Sequence, residues 1–372
     1  MKLIIERAAL LKSLGHVQNV VERRNTIPIL SNVKLDAKDG RVHLNATDMD
    51  LDIVDATAAQ VSEPGVTTAP AHMLYEIVRK LPDGADVELD ATSDDGQMVL
   101  RSGRSRFTLS CLPATEFPVM SGGDLPVTFA LAAAQLKDLI DKTRFAISTE
   151  ETRYYLNGIY LHAAEGEGGP VLRGVATDGH RLASAETELP DGAASMPGVI
   201  VPRKTVTELH KLIEETEGEI QVSLSDAKIQ FSFDGVVLTS KLIDGTFPDY
   251  ERVIPQGNDK TLKVGRKALG DAVDRVSAIS TEKSRAVKLT MDGSSLILSA
   301  SSPDSGSATD ELETEYSGDR LEIGFNAAYL LEVMRQIEGD DITLSLSDAS
   351  APTIIREDGD DSALYVLMPM RV

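Results

Sequence analysis

The chain has 372 residues, a hydrophobic content of 42% and a formal net charge of −22. This length predicts two to four domains of roughly 100–200 residues, each with its own hydrophobic core, and the composition argues against a disordered chain. The acidic charge, the 4% of aromatic residues and the absence of tryptophan argue against a generic nucleic-acid binder that works through a basic surface.

The N-terminal segment and the cysteine content indicate the cellular setting. The sequence has no run of 18 apolar residues and therefore predicts no transmembrane helix, and its first residues carry no signal-peptide pattern. Cys111 is the only cysteine, which excludes an internal disulfide and fits a reducing compartment. We expect a cytoplasmic protein with no membrane partner.

The predicted elements occur in the same order three times along the chain. The first third predicts a helix over residues 7–21, a strand over 42–45 after an Asp39-Gly40 hairpin turn, a helix over 70–78 and a strand over 86–89. The middle third repeats this order over residues 133–147, 172–175, 202–209 and 220–224. The last third repeats it over residues 267–279, 296–299, 326–333 and 342–346.

Short strings that recur along the chain support this threefold order. Ala46-Thr47-Asp48 returns 130 residues later as Ala176-Thr177-Asp178, and after a further 124 residues, more weakly, as Ala300-Ser301-Ser302. The string AISTE occurs at residues 146–150 and again at 278–282, and each unit closes with FP or MP, at residues 117, 247 and 368. A unit of about 125 residues is therefore used three times.

Each unit reads as strand, helix, hairpin, helix and further strands. This order predicts an α+β fold, in which three tandem domains each pack two helices against antiparallel sheets. Polar, turn-rich linkers near residues 123 and 256 place the domains at 1–123, 124–256 and 257–372.

The string Thr177-Asp178-Gly179-His180-Arg181 is the strongest candidate for catalysis, because an aspartate near a histidine can orient the imidazole. No Gly-x-Ser-x-Gly string accompanies it, and a tight turn at the end of a strand explains the same residues. We therefore predict no enzyme, and a hydrolase that uses Asp178 and His180 is the alternative.

Acidic, histidine and glycine patterns do not indicate a metal or a cofactor. Asp48, Asp50 and Asp52 alternate along a predicted strand, but Ile53 lies where a calcium loop needs glycine, so we expect a solvated acidic face. The six histidines lack zinc spacing, and the glycines at 166, 168 and 169 precede no helix that could hold a phosphate. The helices carry many lysines and arginines, which fit either a basic inner face or ordinary helix solvation.

Five strings spread over the whole chain resemble those of the bacterial sliding clamp family, the beta subunit of DNA polymerase III. They are residues 26–32 (TIPILSN), 153–158 (RYYLNG), 176–182 (ATDGHRL), 247–250 (FPDY) and 365–372 (YVLMPMRV). The resemblance implies a non-enzymatic processivity factor. Two subunits would pair head to tail as a homodimer, and their six domains would form a ring that encircles duplex DNA of any sequence.

The resemblance also implies the partners of such a ring. It would tether replicative and repair polymerases through a hydrophobic cleft that binds short peptides. The implied partners are the polymerase III alpha subunit, the clamp-loader delta subunit, and other polymerases and repair proteins with clamp-binding peptides. A closed ring holds DNA topologically, so weak phosphate contacts are enough for an acidic chain.

Three sets of site residues are carried over from the family. The partner-peptide cleft comprises Leu156, Thr177, Leu182, Pro248, Val253, Val366, Met368, Pro369, Met370 and Arg371. The DNA contacts comprise Arg24, Tyr154, Tyr155, Arg203, Lys204 and His72. The dimer interface comprises Arg104, Arg106 and Leu109 on one subunit with Ala278, Ile279 and Lys283 on the other.

Two positions depart from the family pattern. His72 stands where we expect arginine, and Glu150 replaces an uncharged polar residue. Both changes bear on contacts to DNA. From the residues alone, a peptide-binding scaffold that does not act on DNA also stays open.

Overall fold

The structure, a computed structural model, describes residues 1–93, 95–120, 123–280 and 285–371. These residues form two compact units. Unit 1 comprises Met1–Ala134, Asp191–Met196 and Lys204–Leu242. Unit 2 comprises Gln135–Pro190, Pro197–Arg203 and Ile243–Val372. Within these spans, residues 94, 121, 122, 281–284 and 372 lie outside the described ranges.

The helices lie where the apolar spacing predicts them. Within the described residues they are α1 (Arg7–Gln18), α2 (Ala71–Arg79), α3 (Ala133–Thr143), α4 (Arg203–Ile213), α5 (Arg266–Ser277) and α6 (Ala327–Gln336). Short 3-10 turns cover Pro28–Ser31, Ala114–Glu116, Arg144–Ala146, Glu151–Leu156, Ala193–Ser195 and Tyr250–Val253.

The predicted helices that begin each copy are too long at their C-terminal ends. The first ends at Gln18 rather than at residue 21, and Val20 and Val21 continue it only as turns whose amides bond three residues back. The second ends at Thr143 and continues as the 3-10 turn Arg144–Ala146. Apolar spacing persists through such a turn, so periodicity alone extends the helix.

The strands of the first half are β1 (Lys2–Glu6), β2 (Asn32–Lys38), β3 (Arg41–Thr47), β4 (Leu51–Ala58), β5 (Gln60–Glu63), β6 (Gly65–Pro70), β7 (Asp86–Asp90), β8 (Gln97–Ser102), β9 (Ser105–Ser110), β10 (Val127–Ala132), β11 (Gly158–Gly166), β12 (Gly169–Thr177) and β13 (Arg181–Glu188). Those of the second half are β14 (Val199–Pro202), β15 (Glu219–Leu224), β16 (Lys228–Phe233), β17 (Val236–Lys241), β18 (Lys260–Gly265), β19 (Ala286–Asp292), β20 (Ser295–Ser302), β21 (Gly306–Glu313), β22 (Glu315–Ser317), β23 (Leu321–Asn326), β24 (Asp341–Leu346), β25 (Thr353–Glu357) and β26 (Asp360–Leu367).

Unit 1 contains two antiparallel sheets. One has five strands in the order β5-β1-β7-β8-β9, and the other has eight in the order β10-β15-β16-β17-β4-β3-β2-β6. The Asp39-Gly40 turn between β2 and β3 is confirmed, with both residues at positive φ (51° and 72°) as a two-residue hairpin requires. Helix α1 packs on α2, β3 and β4 through Leu10, Leu14 and Val17.

Unit 2 also contains two antiparallel sheets. One has nine strands in the order β14-β11-β12-β13-β26-β25-β24-β18-β22, and the other has four in the order β21-β20-β19-β23. Helix α5 packs on α6, β20 and β21, and its inward residues Leu269, Ala272 and Val273 are fully buried. Each sheet therefore buries its alternating apolar face under helices, which is the predicted α+β arrangement.

The largest sheets cross from one copy of the repeat to the next. In unit 1, β4 of the first copy pairs with β17 of the middle copy. In unit 2, β13 of the middle copy pairs with β26 of the last copy. We call these two strand pairs the first junction and the second junction. The domain boundaries at 123 and 256 stay a prediction.

Candidate functional site

The Thr177–Arg181 segment is a tight turn, as its non-catalytic interpretation predicts. The Thr177 hydroxyl donates to the Arg181 carbonyl at 2.7 Å, and Asp178 Oδ1 accepts the backbone N–H groups of His180 and Arg181 at 2.9 and 3.1 Å. The His180 ring stacks on Tyr329, with centroids 6.1 Å apart. Asp178 thus binds backbone amides and Arg181, and His180 packs on an aromatic ring, so the two do not form an acid–base pair.

Arg181 is the buried centre of this region and was not among the predicted site residues. Its side chain is 9% exposed. The guanidinium bonds Asp178 Oδ2 at 3.2 Å, the Phe145 carbonyl at 2.8 Å and the Glu332 carboxylate, and it lies 4.3 Å from the Tyr329 ring centroid. Several partners compensate the buried charge. The residue therefore fixes α6 and Tyr329 beside the turn.

An apolar cluster lies beside the turn and brings together three residues of the predicted cleft: Leu156, Leu182 and Val366. Leu182 and Val366 are paired directly across β13 and β26. The other buried members, which were not predicted individually, are Val175, Ile200, Phe247, Tyr250 and Ile354. Phe247 and Tyr250 do belong to the family string at 247–250, so that string held a signal for them.

The C-terminal segment follows β26, which carries Val366 of this cluster, and its backbone is fixed while its methionine side chains are exposed. The Met368 N–H donates to the His180 carbonyl at 3.0 Å, and the Met370 N–H donates to the Gly324 carbonyl at 2.8 Å. The side chains of Met368, Met370 and Val253 are 36%, 37% and 43% exposed. Met368 lies two residues after Val366, and Val253 ends the short turn that begins at Tyr250, so exposed apolar side chains follow members of the buried cluster closely in the chain. Exposed large apolar residues are typical of a surface that binds a hydrophobic ligand.

The remaining predicted cleft residues differ in their surroundings. Pro248 is exposed, and Thr177 and Pro369 are half-buried. Arg371 lines a cavity of about 400 Å³ on the four-stranded sheet together with Lys288, Ser299 and Thr309.

Hydrogen-bonded polar side chains hold Tyr250, a buried member of the cluster, in place. The Tyr250 hydroxyl accepts a hydrogen bond from Arg173 at 3.1 Å and lies 3.1 Å from His162 Nε2, while Arg173 pairs with Glu186 at 2.8 Å. Burial raises the pKa of Tyr250 and lowers the pKa of His162, so both groups are neutral at physiological pH. The tyrosine ring is thus fixed while its apolar face stays available to the cluster.

Three of the predicted DNA contacts lie in unit 1. Arg24 is exposed. The His72 ring nitrogens lie 2.8 Å from Gln18 Oε1 and 2.9 Å from the Val21 carbonyl, so the ring ties α2 to the end of α1. The Lys204 ammonium bonds Asp48 at 2.7 Å, the Glu22 carboxylate and the Val20 carbonyl. A phosphate would have to replace these partners of His72 and Lys204.

The other three predicted DNA contacts lie in unit 2. Tyr154 is 52% exposed and packs edge-on against the half-buried Tyr155, and Arg203 is exposed. Glu150 forms a bidentate pair with Arg153 at 2.7 and 2.8 Å. That hydrogen bonding lowers the pKa of Glu150, so its carboxylate stays ionised and offsets the charge of Arg153.

Many helix cations pair with carboxylates of the same helix. Examples are Lys137 with Asp141, Lys142 with Asp138 and Lys267 with Asp271, at 2.5 to 3.0 Å. These pairs fit ordinary helix solvation.

The acidic face predicted for Asp48, Asp50 and Asp52 is wrong. Strand β4 begins only at Leu51, and Asp48 and Asp50 lie in the preceding turn, where Asp48 Oδ1 accepts two backbone N–H groups. Asp52 is on the strand and is 8% exposed. Burial raises its pKa to about 6. The alternation failed because the turn breaks the period-two pattern before the strand starts.

The predicted interface residues lie at the ends of elements. Arg104 and Arg106 are exposed at and after the β8–β9 turn, whereas Leu109 is buried within its own unit. Ala278 and Ile279 follow α5, exposed and half-buried respectively, and Lys283 lies outside the described residues.

The part of the chain that the structure describes contains no cluster of three or more His, Cys, Asp or Glu residues that could hold a metal ion. Its helices are too short or too polar to cross a membrane. Burial raises the pKa of the Cys111 thiol.

The chain matches all three domains described for one family, the DNA polymerase III beta subunit. The N-terminal, central and C-terminal domains match residues 1–121, 130–249 and 251–371. A beta sliding clamp from Caulobacter vibrioides is 54% identical over 372 residues, the whole of both chains.

Solved structures show the same fold. A sliding clamp from Bartonella birtlesii bound to griselimycin superposes with a TM-score of 0.97 at 52% identity over all of both chains. A beta sliding clamp from Caulobacter crescentus superposes with a TM-score of 0.98 at 54% identity, over all of this chain and 99% of the other.

The fold and these matches define the class of sliding clamps. The chain belongs to the family of the DNA polymerase III beta subunit, and its function is that of a clamp that confers processivity in DNA replication.

Proposed function

We propose that two copies of this chain pair head to tail into a ring of six domains, bounded as predicted above, that encircles duplex DNA in the cytoplasm. The apolar cluster and the C-terminal segment form the peptide cleft of this ring, and the ring catalyses no reaction. The observation that carries the proposal is the exposure of Met368 and Met370 immediately downstream of Val366, which pairs with Leu182 inside the buried cluster.

The chemistry of this surface favours short peptides with hydrophobic anchors. Methionine side chains are flexible and polarisable and adapt to different apolar partners, and grooves of this kind bind peptides through a few buried anchors. Such peptides would be carried by the polymerase III alpha subunit, the clamp-loader delta subunit, and other polymerases and repair proteins. Griselimycin, the ligand of the Bartonella relative, is expected to bind this chain also.

Two strand edges support ring closure. Strand β9 ends the five-stranded sheet and β21 ends the four-stranded sheet, each with one strand neighbour in the described residues. Arg104 and Arg106 flank or lie on β9, whereas Asp310, Glu311 and Glu313 lie on β21. An exposed edge can add a strand from another chain, and opposite charges favour that pairing. Interface contacts by Ala278, Ile279 and Lys283 are part of the same proposal.

Contacts to DNA are expected to be few and weak, since a closed ring needs no tight grip. Arg24, Tyr154, Tyr155 and Arg203 are the candidates on exposed or half-buried surface. His72 and Lys204 would contribute only by giving up their present hydrogen bonds.

The ring is tested by mass and by retention on DNA. Light scattering should give about 80 kDa, twice the 40.0 kDa of one chain. With a clamp loader and ATP, the protein should stay on nicked circular plasmid and leave once the plasmid is linearised. A monomer at micromolar concentration that is never retained on the circle would contradict the proposal, and peptide binding without retention would favour a scaffold that does not act on DNA.

The cleft is tested with a labelled peptide rich in glutamine and leucine, followed by fluorescence polarisation. Truncation after Leu367 should abolish binding, and Met368→Ala should weaken it about tenfold, the equivalent of about 1.4 kcal/mol. Met73→Ala is the matched control, because Met73 is 56% exposed and lies in unit 1. Equal affinity for all variants would place the peptide elsewhere.

A further inference from the structure

The turn beside the cleft is built twice in this chain. At the first junction, the Thr47 hydroxyl donates to the Leu51 carbonyl at 2.9 Å, and Asp48 Oδ1 accepts two backbone N–H groups at 2.9 and 2.7 Å. Thr177 and Asp178 make the corresponding bonds at the second junction. The backbone conformation agrees too.

The third residue of each turn shows that agreement. Gly179 has φ of 86°, and Met49, where a left-handed conformation is unusual, has φ of 79°. A side chain on Gly179 would meet Arg153 Nη1 at 2.6 Å, which explains the glycine there.

The strands after the two turns also pair in the same register. Thr47 lies opposite Asp52, as Thr177 lies opposite Leu182. The Lys241 N–H donates to the Asp50 carbonyl at 2.8 Å, matching the bond from Met368 to His180. The two junctions therefore correspond residue by residue.

This correspondence puts polar residues at the positions that form the apolar cluster. Asp52 faces Thr239 across β4 and β17, where the second junction has Leu182 facing Val366. Gln230 pairs with Thr239 in the position of Ile354.

Asn45 takes the position of Val175, two residues before the threonine of the turn. We call Asn45, Asp52, Gln230 and Thr239 the polar counterpart.

The polar counterpart is joined by its own hydrogen bonds. Asn45 Nδ2 donates to Asp52 Oδ2 at 3.3 Å, and Gln230 Nε2 donates to Thr239 Oγ1 at 3.0 Å. Asn45 Oδ1 is buried and has no hydrogen-bond partner within the described residues. An apolar side chain placed here would strip the remaining water from these groups and offer no hydrogen bond in return.

We infer that the polar counterpart excludes hydrophobic peptide anchors from the first junction. The inference rests on the proposed function of the second junction. It makes Asp52 and its neighbours determinants of where partners bind, through the cost of desolvating them. At pH 7.5 the Asp52 carboxylate is mostly ionised, because its pKa is about 6, and the exclusion is then strongest.

The experiment gives the first junction the side chains of the second. The variant Asn45→Val, Asp52→Leu, Gln230→Ile, Thr239→Val is titrated calorimetrically with the glutamine-leucine-rich peptide. We expect wild type to bind one peptide per chain and the variant to bind two, the second 10- to 100-fold more weakly. The polar control Asp52→Asn, Thr239→Ser should still bind one.

A smaller variant guards against misfolding. Asp52→Leu, Thr239→Val should cross-link a photoreactive peptide within residues 41–58 as well as at the cleft. If both variants fold and the first junction binds no peptide, or if wild type already binds there, the inference is overturned. A wild type that binds no peptide at all would instead contradict the proposed function.

Discussion

The two junctions have the same backbone arrangement and differ in their side chains. In unit 1 the paired positions on β4 and β17 hold Asp52 and Thr239, and in unit 2 the same positions on β13 and β26 hold Leu182 and Val366. Hydrogen-bond geometry in the turns agrees to within a few tenths of an ångström. If the second junction binds peptides as proposed, the repeat provides a common framework, and a few side chains determine which copy can bind a ligand.

The largest expected effect comes from moving the polar pair into unit 2. Leu182→Asp with Val366→Thr should weaken peptide binding at least 100-fold, about 3 kcal/mol, because the peptide anchor would then meet a carboxylate. Fluorescence polarisation measures the affinity, and circular dichroism checks the fold. Thr239→Val in unit 1 is the control and should leave the affinity unchanged. Retained binding in the folded double variant would show that this pair does not line the peptide site.

The next effect concerns the buried guanidinium group of Arg181 in unit 2. Arg181→Met should destabilise the unit by about 3 kcal/mol, because it leaves Asp178 and Glu332 without their common partner. Hydrogen exchange of β13 and α6 reports the change. Arg252→Met, at a side chain that is 85% exposed, is the matched control and should change little. Similar exchange in both variants would argue against a positioning role for Arg181.

The ionised carboxylate of Asp52 should lower the free energy of unfolding at neutral pH. Its pKa is raised from 3.8 to about 6 in the folded state, so the folded chain binds the proton more tightly than the unfolded chain. The contribution of this tighter proton binding to the free energy of unfolding is fully present below pH 3.8. It is lost as the pH rises through about 6.

Removing this carboxylate should therefore stabilise the protein where the group is ionised. Asp52→Asn should raise stability at pH 8 by about 2 kcal/mol and have little effect at pH 4. Unfolding midpoints at the two pH values measure this. Asp50→Asn, whose side chain is 78% exposed, is the control. An equal gain at both pH values would point to a cause other than ionisation.

The smallest effect separates Lys204 from the exposed cations. Burial disfavours its ammonium, but hydrogen bonds with Asp48 and Glu22 outweigh this and raise the pKa of Lys204. Lys204→Met should therefore cost about 1 kcal/mol of stability in unit 1 and leave retention on circular DNA unchanged. Arg24→Ala should shorten retention as salt is raised. If Lys204→Met shortened retention as strongly, Lys204 would be a DNA contact after all.

Much of the fold could be predicted from the sequence. The apolar periods of 3.6 and 2 placed the helices and strands of the threefold order, since burying one face is a local requirement. The alternation of Asp48, Asp50 and Asp52 was the exception, because that strand starts only at Leu51. The errors were at ends, as at Gln18 and Thr143, where 3-10 turns prolong the apolar spacing. Family strings indicated Leu182, Val366 and the terminal methionines.

The sequence alone determined the threefold repeat, the α+β class and the family, because these follow from spacing and from literal strings along the chain. Tertiary structure decided which residues face one another. The sequence pattern placed Asp52 on a solvated acidic face, whereas in the structure it pairs with Thr239 across two strands and is buried. The sequence pattern identified Arg181 only as a turn residue, whereas in the structure its guanidinium binds Glu332, 151 positions away. Contacts between distant segments depend on strand register and packing, which no local pattern encodes.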